Sequence, residues 1–226
     1  MTGEVAGLLG MVPASAEGDG LAFLRGDLRS VLSVWKDRYD KTVFGWMVIT
    51  YDTALRDQMK GFGGMGIRID HPPPSGDANP ADVPPAACYP WPASGTPLAA
   101  EVSTAVTRYG PPSLGFVRDR RDLGLLLLTD GHVRRGGVWS FAPANNEPAR
   151  LAQAVLLARH AGDPVLERAA VAKLRERGED PVAPWPGCLF RQAVAQWAGQ
   201  YSKATGIDLG DLARLKRKRP QYPGAP

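Results

Sequence analysis

The chain has 226 residues, of which 44% are hydrophobic and 22% charged, enough to bury a core as one domain or two small ones. Only two cysteines, Cys88 and Cys188, are present. Their number excludes a disulfide framework and points to a reducing cytoplasm. No apolar run approaches a membrane span, and Met1–Glu4 lacks the basic start of a secretion signal.

The net charge of +4 is unevenly spread. From Arg150 to Arg219 there are 13 Lys and Arg against 7 Asp and Glu, a net of +6; the rest carries 14 against 16, a net of −2. Arg outnumbers Lys 20 to 7, so part of the basic pI reflects codon usage rather than a binding role.

Residues 1–20 are small and Gly-rich and are expected to be flexible. Asp27 is a suitable cap for a helix reaching Tyr39, because Leu28, Val31, Leu32, Trp35 and Tyr39 fall on one helical face. Val43–Thr50 is β-branched and aromatic and predicts a buried strand. Asp52 then caps a short helix to Lys60, with Leu55 and Met59 inward. Gly61–Gly66 is Gly-rich but follows a helix and enters a strand, the reverse of a phosphate loop, so it reads as a turn. Ile67–Asp70 is a short strand.

Residues 71–97 hold nine prolines, a density that neither helix nor central strand survives. Thr96 and Pro97 open a predicted helix that runs to Tyr109 and stops at Gly110. Ser113–Arg118 and Leu123–Thr129 read as strands, Asp130-Gly131 as a tight hairpin, and His132–Arg135 as its return. Val138–Phe141 follows Gly136-Gly137 as a last strand. Four capped helices are then expected: Asn146 to Ala161, Asp163 to Gly178, Cys188 to Ala204, and Asp208 to before Pro220.

The expected fold is therefore α+β. An antiparallel β-meander with flanking helices covers 21–145 and includes the Pro-rich loop 71–97. A basic helical subdomain covers 146–220, followed by a tail at 221–226.

The basic run Arg214, Lys216, Arg217, Lys218 and Arg219 binds phosphate by charge alone, without reading sequence. It is equally the composition of a solvated end. Trp91 and Trp185, each between prolines, suit contact with a protein partner, or the pinning of a loop to its own core. Cys188 sits where a helix begins, and free amide N–H groups there lower a thiol's pKa. As a nucleophile it needs a base, for which His132 or His160 is the candidate; the bland reading is a small apolar residue on a core helix. His71, His132, His160 and the cysteines show no metal-ligand spacing, and no cofactor motif is present. The second and third helices are joined by too long a segment for a helix-turn-helix.

The function expected is a non-catalytic binding or assembly module. Its basic helical region would meet nucleic acid, another polyanion or an acidic protein surface. The alternatives are a small hydrolase or transferase using Cys188, and a structural subunit of a larger complex.

Overall fold

The structure, a computed structural model, describes residues 12–13, 21–36, 39–54, 67–71, 88–90, 97, 99–141, 147–179, 195–196, 198–199 and 202–203. The chain divides into two compact units. One is Met1–Thr53 with Gly66–Ala142; the other is Ala54–Met65 with Pro143–Pro226.

The first unit is an antiparallel sheet with two helices. Its strands are β1 (Val12–Pro13), β2 (Leu21–Arg25), β3 (Leu28–Lys36), β4 (Val43–Asp52), β5 (Ile67–Asp70), β6 (Tyr89–Pro90), β7 (Arg134–Arg135) and β8 (Val138–Phe141). They run in the order β1-β2-β3-β4-β5-β8-β7, with β6 pairing β4 off this path. Every pairing is antiparallel, and β2 to β5 form a meander. The long β3–β4 pair, nine residues in register from Leu28↔Asp52 to Lys36↔Phe44, is the trunk of the sheet.

Alternation along these strands sorts side chains onto two faces. One face carries Leu28, Ser30 and Leu32 of β3, and Phe44, Trp46, Val48, Thr50 and Asp52 of β4. It continues through Ile67 and Ile69 of β5, and all of these are buried. Helices α1 (Ala100–Leu114) and α2 (Arg120–Leu128) pack against β4, β5 and β8. The buried polar pair on this face is self-satisfied, since the Ser30 and Thr50 hydroxyls lie 2.8 Å apart.

Several expectations change in this unit. Residues 28–36 form strand β3, not a helix begun at Asp27. Leu28, Ser30 and Leu32 are buried in a period of two, and β4 supplies the backbone partners. Asp27 instead shares the tight β2–β3 turn with Gly26, whose φ of +57° suits a residue without Cβ. Asp52 ends β4 as a buried residue and stands directly before the expected short helix, of which Thr53–Ala54 is described and is helical.

The helix expected to stop at Gly110 runs through Pro111 and Pro112 to Leu114, capped by Gly115. The two prolines remove the N–H groups that Thr107 and Arg108 carbonyls would receive. Both residues are exposed, so solvent can serve those oxygens.

The strands expected at 113–118 and 123–129 are the end of α1, a turn, and α2. Asp119 caps α2 by accepting from Asp122 N–H at 2.8 Å. Leu123, Leu126 and Leu127 turn inward while Leu125 is exposed, which is helical spacing.

Asp130-Gly131 therefore links α2 to the sheet rather than closing a hairpin. The tight hairpin is one turn later. Arg135 pairs with Val138 across Gly136 and Gly137, whose φ values of +58° and +80° suit a type I′ turn.

The second unit contains a helical hairpin, α3 (Glu147–Ala161) and α4 (Pro164–Glu179). Every residue from Arg150 to Ala158 is buried, so this stretch of α3 is covered all round. Gly162, at φ +63°, ends α3, where Asp163 N–H reaches the Ala158 carbonyl at 2.9 Å. The Asp163 carboxylate then caps α4, accepting from Val165 and Leu166 N–H at 3.1 and 3.0 Å. Arg159 and Glu167 tie the two helices at 2.7 Å. Residues 195–196, 198–199 and 202–203 are helical and lie within the third expected helix, with Ala195 and Ala198 buried.

Candidate functional site

The first unit gathers its charged and polar side chains into three buried groups. The first stands at the start of α2. Asp122, placed in the first turn of α2 by the Asp119 cap, accepts from Arg118 N–H at 2.9 Å. Its two oxygens also receive both terminal nitrogens of Arg135, at 2.5 and 2.8 Å. The same guanidinium donates to the Phe116 carbonyl at 2.6 Å and lies over the Phe116 ring. Burial alone would push the Asp122 carboxyl up; the bonds from Arg135 and Arg118 outweigh it and hold the group well below the usual carboxylate range. The result is a structural clamp joining three segments: the turn after α1, the start of α2 and the β7–β8 hairpin.

The second group is Asp52, fully enclosed at the end of β4, which accepts from Arg120 Nε at 2.6 Å. The exposed Asp27 adds a looser contact to the same guanidinium at 3.3 Å. This pair links the β2–β3 turn and β4 to the first residue of α2.

The third group surrounds Asp70 and His71 at the end of β5. Alternation sends their side chains to opposite faces. Asp70 is bound by Arg68 Nε at 2.9 Å. Burial raises its pKa, with Arg68 and His132 pulling the other way.

His71 points to the helix-covered face. Its ring stacks on Trp46, with centroids 4.1 Å apart, and faces Tyr89 and Tyr109 at 5.9 and 5.6 Å. Its Nε2 is 2.8 Å from the Tyr89 hydroxyl. Burial lowers the pKa of His71 to about 3, so the ring is neutral in the folded protein. Burial likewise raises the Tyr89 hydroxyl, which is a proton donor at neutral pH.

This aromatic box was legible in principle. Two residues beyond Ile69 on a strand, His71 falls on the same buried face as Ile67 and Ile69. Its partner Tyr89 lies 18 positions on, across a stretch of prolines that carries no periodic signal.

Of the candidate residues read from the sequence, His132 is half-buried, with Nδ1 3.3 Å from the Ser140 carbonyl oxygen. That contact orients the ring toward a structural partner. His160 lies exposed in the last turn of α3. Cys188, Trp91, Trp185 and the basic run Arg214, Lys216, Arg217, Lys218 and Arg219 lie outside the described residues, as does the fourth expected helix. Arg118 and Asp119 lead into α2, and Arg120, Arg121 and Asp122 form its first turn. Among the described residues no three His, Cys, Asp or Glu side chains come together as a metal ion requires. No helix among them is long and apolar enough to cross a membrane.

In the helical unit the basic side chains that reach solvent include Arg168 and Arg175 of α4 and Lys203. Arg168 and Arg175 are seven residues apart, two turns along one line of the helix. Leu166, Ala170 and Leu174 bury the other side.

No protein-family model matches the chain, and neither a curated protein nor a solved structure shows significant similarity to it.

Proposed function

We propose that the protein is a non-catalytic binding module whose basic helical region, residues 146–220, holds an extended anion. Nucleic acid is the first candidate, and an acidic protein surface the second. The observation that carries this reading is the segregation of charge, +6 between Arg150 and Arg219 against −2 elsewhere. Two features of the fold support it. The buried acids of the first unit, Asp52, Asp70 and Asp122, are engaged by Arg120, Arg68 and Arg135 and act as structural clamps. In the helical unit, by contrast, Arg168 and Arg175 share one exposed line of α4. The protein works in the reducing cytoplasm, where the exposed Cys88 stays a thiol.

Binding of labelled single- and double-stranded DNA and RNA to the full chain, followed by fluorescence anisotropy between about 50 and 200 mM salt, tests this. Affinity is expected to fall steeply with salt. Replacing Arg214, Lys216, Arg217, Lys218 and Arg219 by Gln lowers the log–log slope on duplex DNA by up to about 4–5. No binding at either salt rules out nucleic acid. An unchanged slope in the variant removes the basic run from the interface.

A further inference from the structure

We propose that His71 and Tyr89 form an acid-release latch: protonation of the His71 imidazole frees β6 from the end of β4 while the rest of the sheet stays folded.

The geometry isolates this contact. Among the described residues β6 is held to β4 by two residue pairs, Val43↔Pro90 and Phe44↔Tyr89, whereas β3 and β4 share nine. Pro90 has no N–H to donate. Among the described residues the Tyr89 side chain anchors β6, fully buried against Phe44, with its hydroxyl on His71 Nε2. His71 is itself enclosed, between Trp46 of β4, Tyr89 of β6 and Tyr109 of α1. The latch therefore joins β5, β6, β4 and α1 through one imidazole.

The surroundings decide which protonation state fits. β4 presents Trp46, which does not titrate. β6 presents Tyr89, with Cys88 beside it, and α1 presents Tyr109, with exposed Arg108 over its ring. Glu101 of α1 is exposed, and its charge acts on the Tyr89 hydroxyl. Among the described residues no carboxylate acts on the imidazole, and burial alone sets its preference for the neutral form. The Trp46 face attracts a cation, but that attraction is smaller than the cost of losing water around the charge.

Sign follows from linkage. With β6 in place His71 binds a proton poorly; once β6 leaves, the Tyr89 side of the ring opens to water and its pKa rises toward its ordinary value of about 6.5. The released form binds more protons, so acid favours it. Its population rises about tenfold for each pH unit below about 6.5.

Hydrogen exchange of the full chain, read by mass spectrometry between pH 7.5 and 5 and corrected for the intrinsic pH dependence of exchange, tests this. Peptides covering Phe44 and Tyr89 should lose protection about tenfold per pH unit below about 6.5, and stay less protected than the centre of β3–β4 at every pH. In His71→Gln the loss with pH should vanish. Tyr89→Phe, which keeps the ring and removes the hydroxyl, should raise release at all pH values and keep the slope. If the Gln variant does not fold, imidazole NMR of the wild type decides, with only His71, His132 and His160 to distinguish. A His71 signal titrating near pH 6.5 in the folded protein overturns the latch. So does protection at Tyr89 that is flat with pH, or equal to that of the β3–β4 centre.

Discussion

Replacing Asp122 by Asn tests the clamp at the start of α2 with little change of volume. The carboxylate takes both terminal nitrogens of Arg135 and the Arg118 N–H. An amide oxygen at the Oδ2 position can keep two of these without the charge that strengthens them, and its NH2 meets the other Arg135 nitrogen donor against donor. A charged hydrogen bond contributes about 1.5–3 kcal/mol and a neutral one about 0.5–1.5. Two weakened bonds therefore cost about 2 kcal/mol. Removing one partner of a fully buried pair costs about 3–5 kcal/mol. The Arg135 side chain is 31% exposed, so water screens part of the loss. We expect about 2–3 kcal/mol, read as a shift in the urea midpoint, and faster hydrogen exchange in the Arg134–Val138 hairpin. A double-mutant cycle with Arg135→Gln should give a coupling of about 2 kcal/mol. A coupling below about 0.5 kcal/mol would show that Asp122 and Arg135 do not hold the three segments together.

Gly45→Ala should lower stability by about 1–3 kcal/mol, because a Cβ there runs into the Trp35 ring; Trp35→Leu in the same chain should restore much of the loss in a thermal melt. Gly136→Ala should cost about 1–2 kcal/mol, since the residue has φ +58° and a Cβ would stand 2.9 Å from Pro112; a wild-type melting temperature would exclude the type I′ hairpin. Urea stability of the wild type should fall below pH 6.5 by up to about 1.4 kcal/mol per pH unit, because the unfolded chain protonates His71 and the folded one, with its pKa lowered to about 3, does not; His71→Gln should lack this limb. Arg168→Gln with Arg175→Gln should lower the salt slope of duplex DNA binding by about 2 if α4 faces the polymer, and leave it unchanged if it does not.

Much of the fold could be read from local chemistry. β4 announced itself through Val43, Phe44, Trp46, Val48 and Ile49, and the α3–α4 hairpin through Gly162, Asp163 and Pro164, because these signals need no distant partner. β3 was hidden by a coincidence. Leu28, Val31, Leu32 and Trp35 satisfy helical spacing, yet Leu28, Ser30 and Leu32 also alternate, and the chain resolves the tie only by pairing with β4. Leu125–Leu128 posed the reverse ambiguity. Four leucines in a row carry no period, and the deciding information is the Asp119 cap, three residues before Asp122. The Asp122–Arg135 and Asp52–Arg120 pairs were invisible because each joins residues brought together by sheet and helix packing rather than by spacing. For the same reason a lone His71 gave no sign that its partners would be Trp46, Tyr89 and Tyr109.

The ion pairs of the first unit bear on how an anionic partner perceives the molecule. Asp52 with Arg120, Asp70 with Arg68 and Asp122 with Arg135 each withdraw one charge of either sign. Burial therefore leaves the net of −2 outside Arg150–Arg219 unchanged, but thins the surface charge that expresses it. At physiological ionic strength exposed charges act over about 8 Å. If the helical region binds a polyanion as proposed, the excess of +6 between Arg150 and Arg219, and not the formal total of +4, should set the attraction. Lowering the salt lengthens that reach to about 30 Å at 0.01 M and brings the opposing charges into play. Binding governed by the helical region should thus follow the counterion-release slope of its own Lys and Arg near physiological salt, and flatten as salt is removed. A protein with the same total charge spread evenly would show no such flattening.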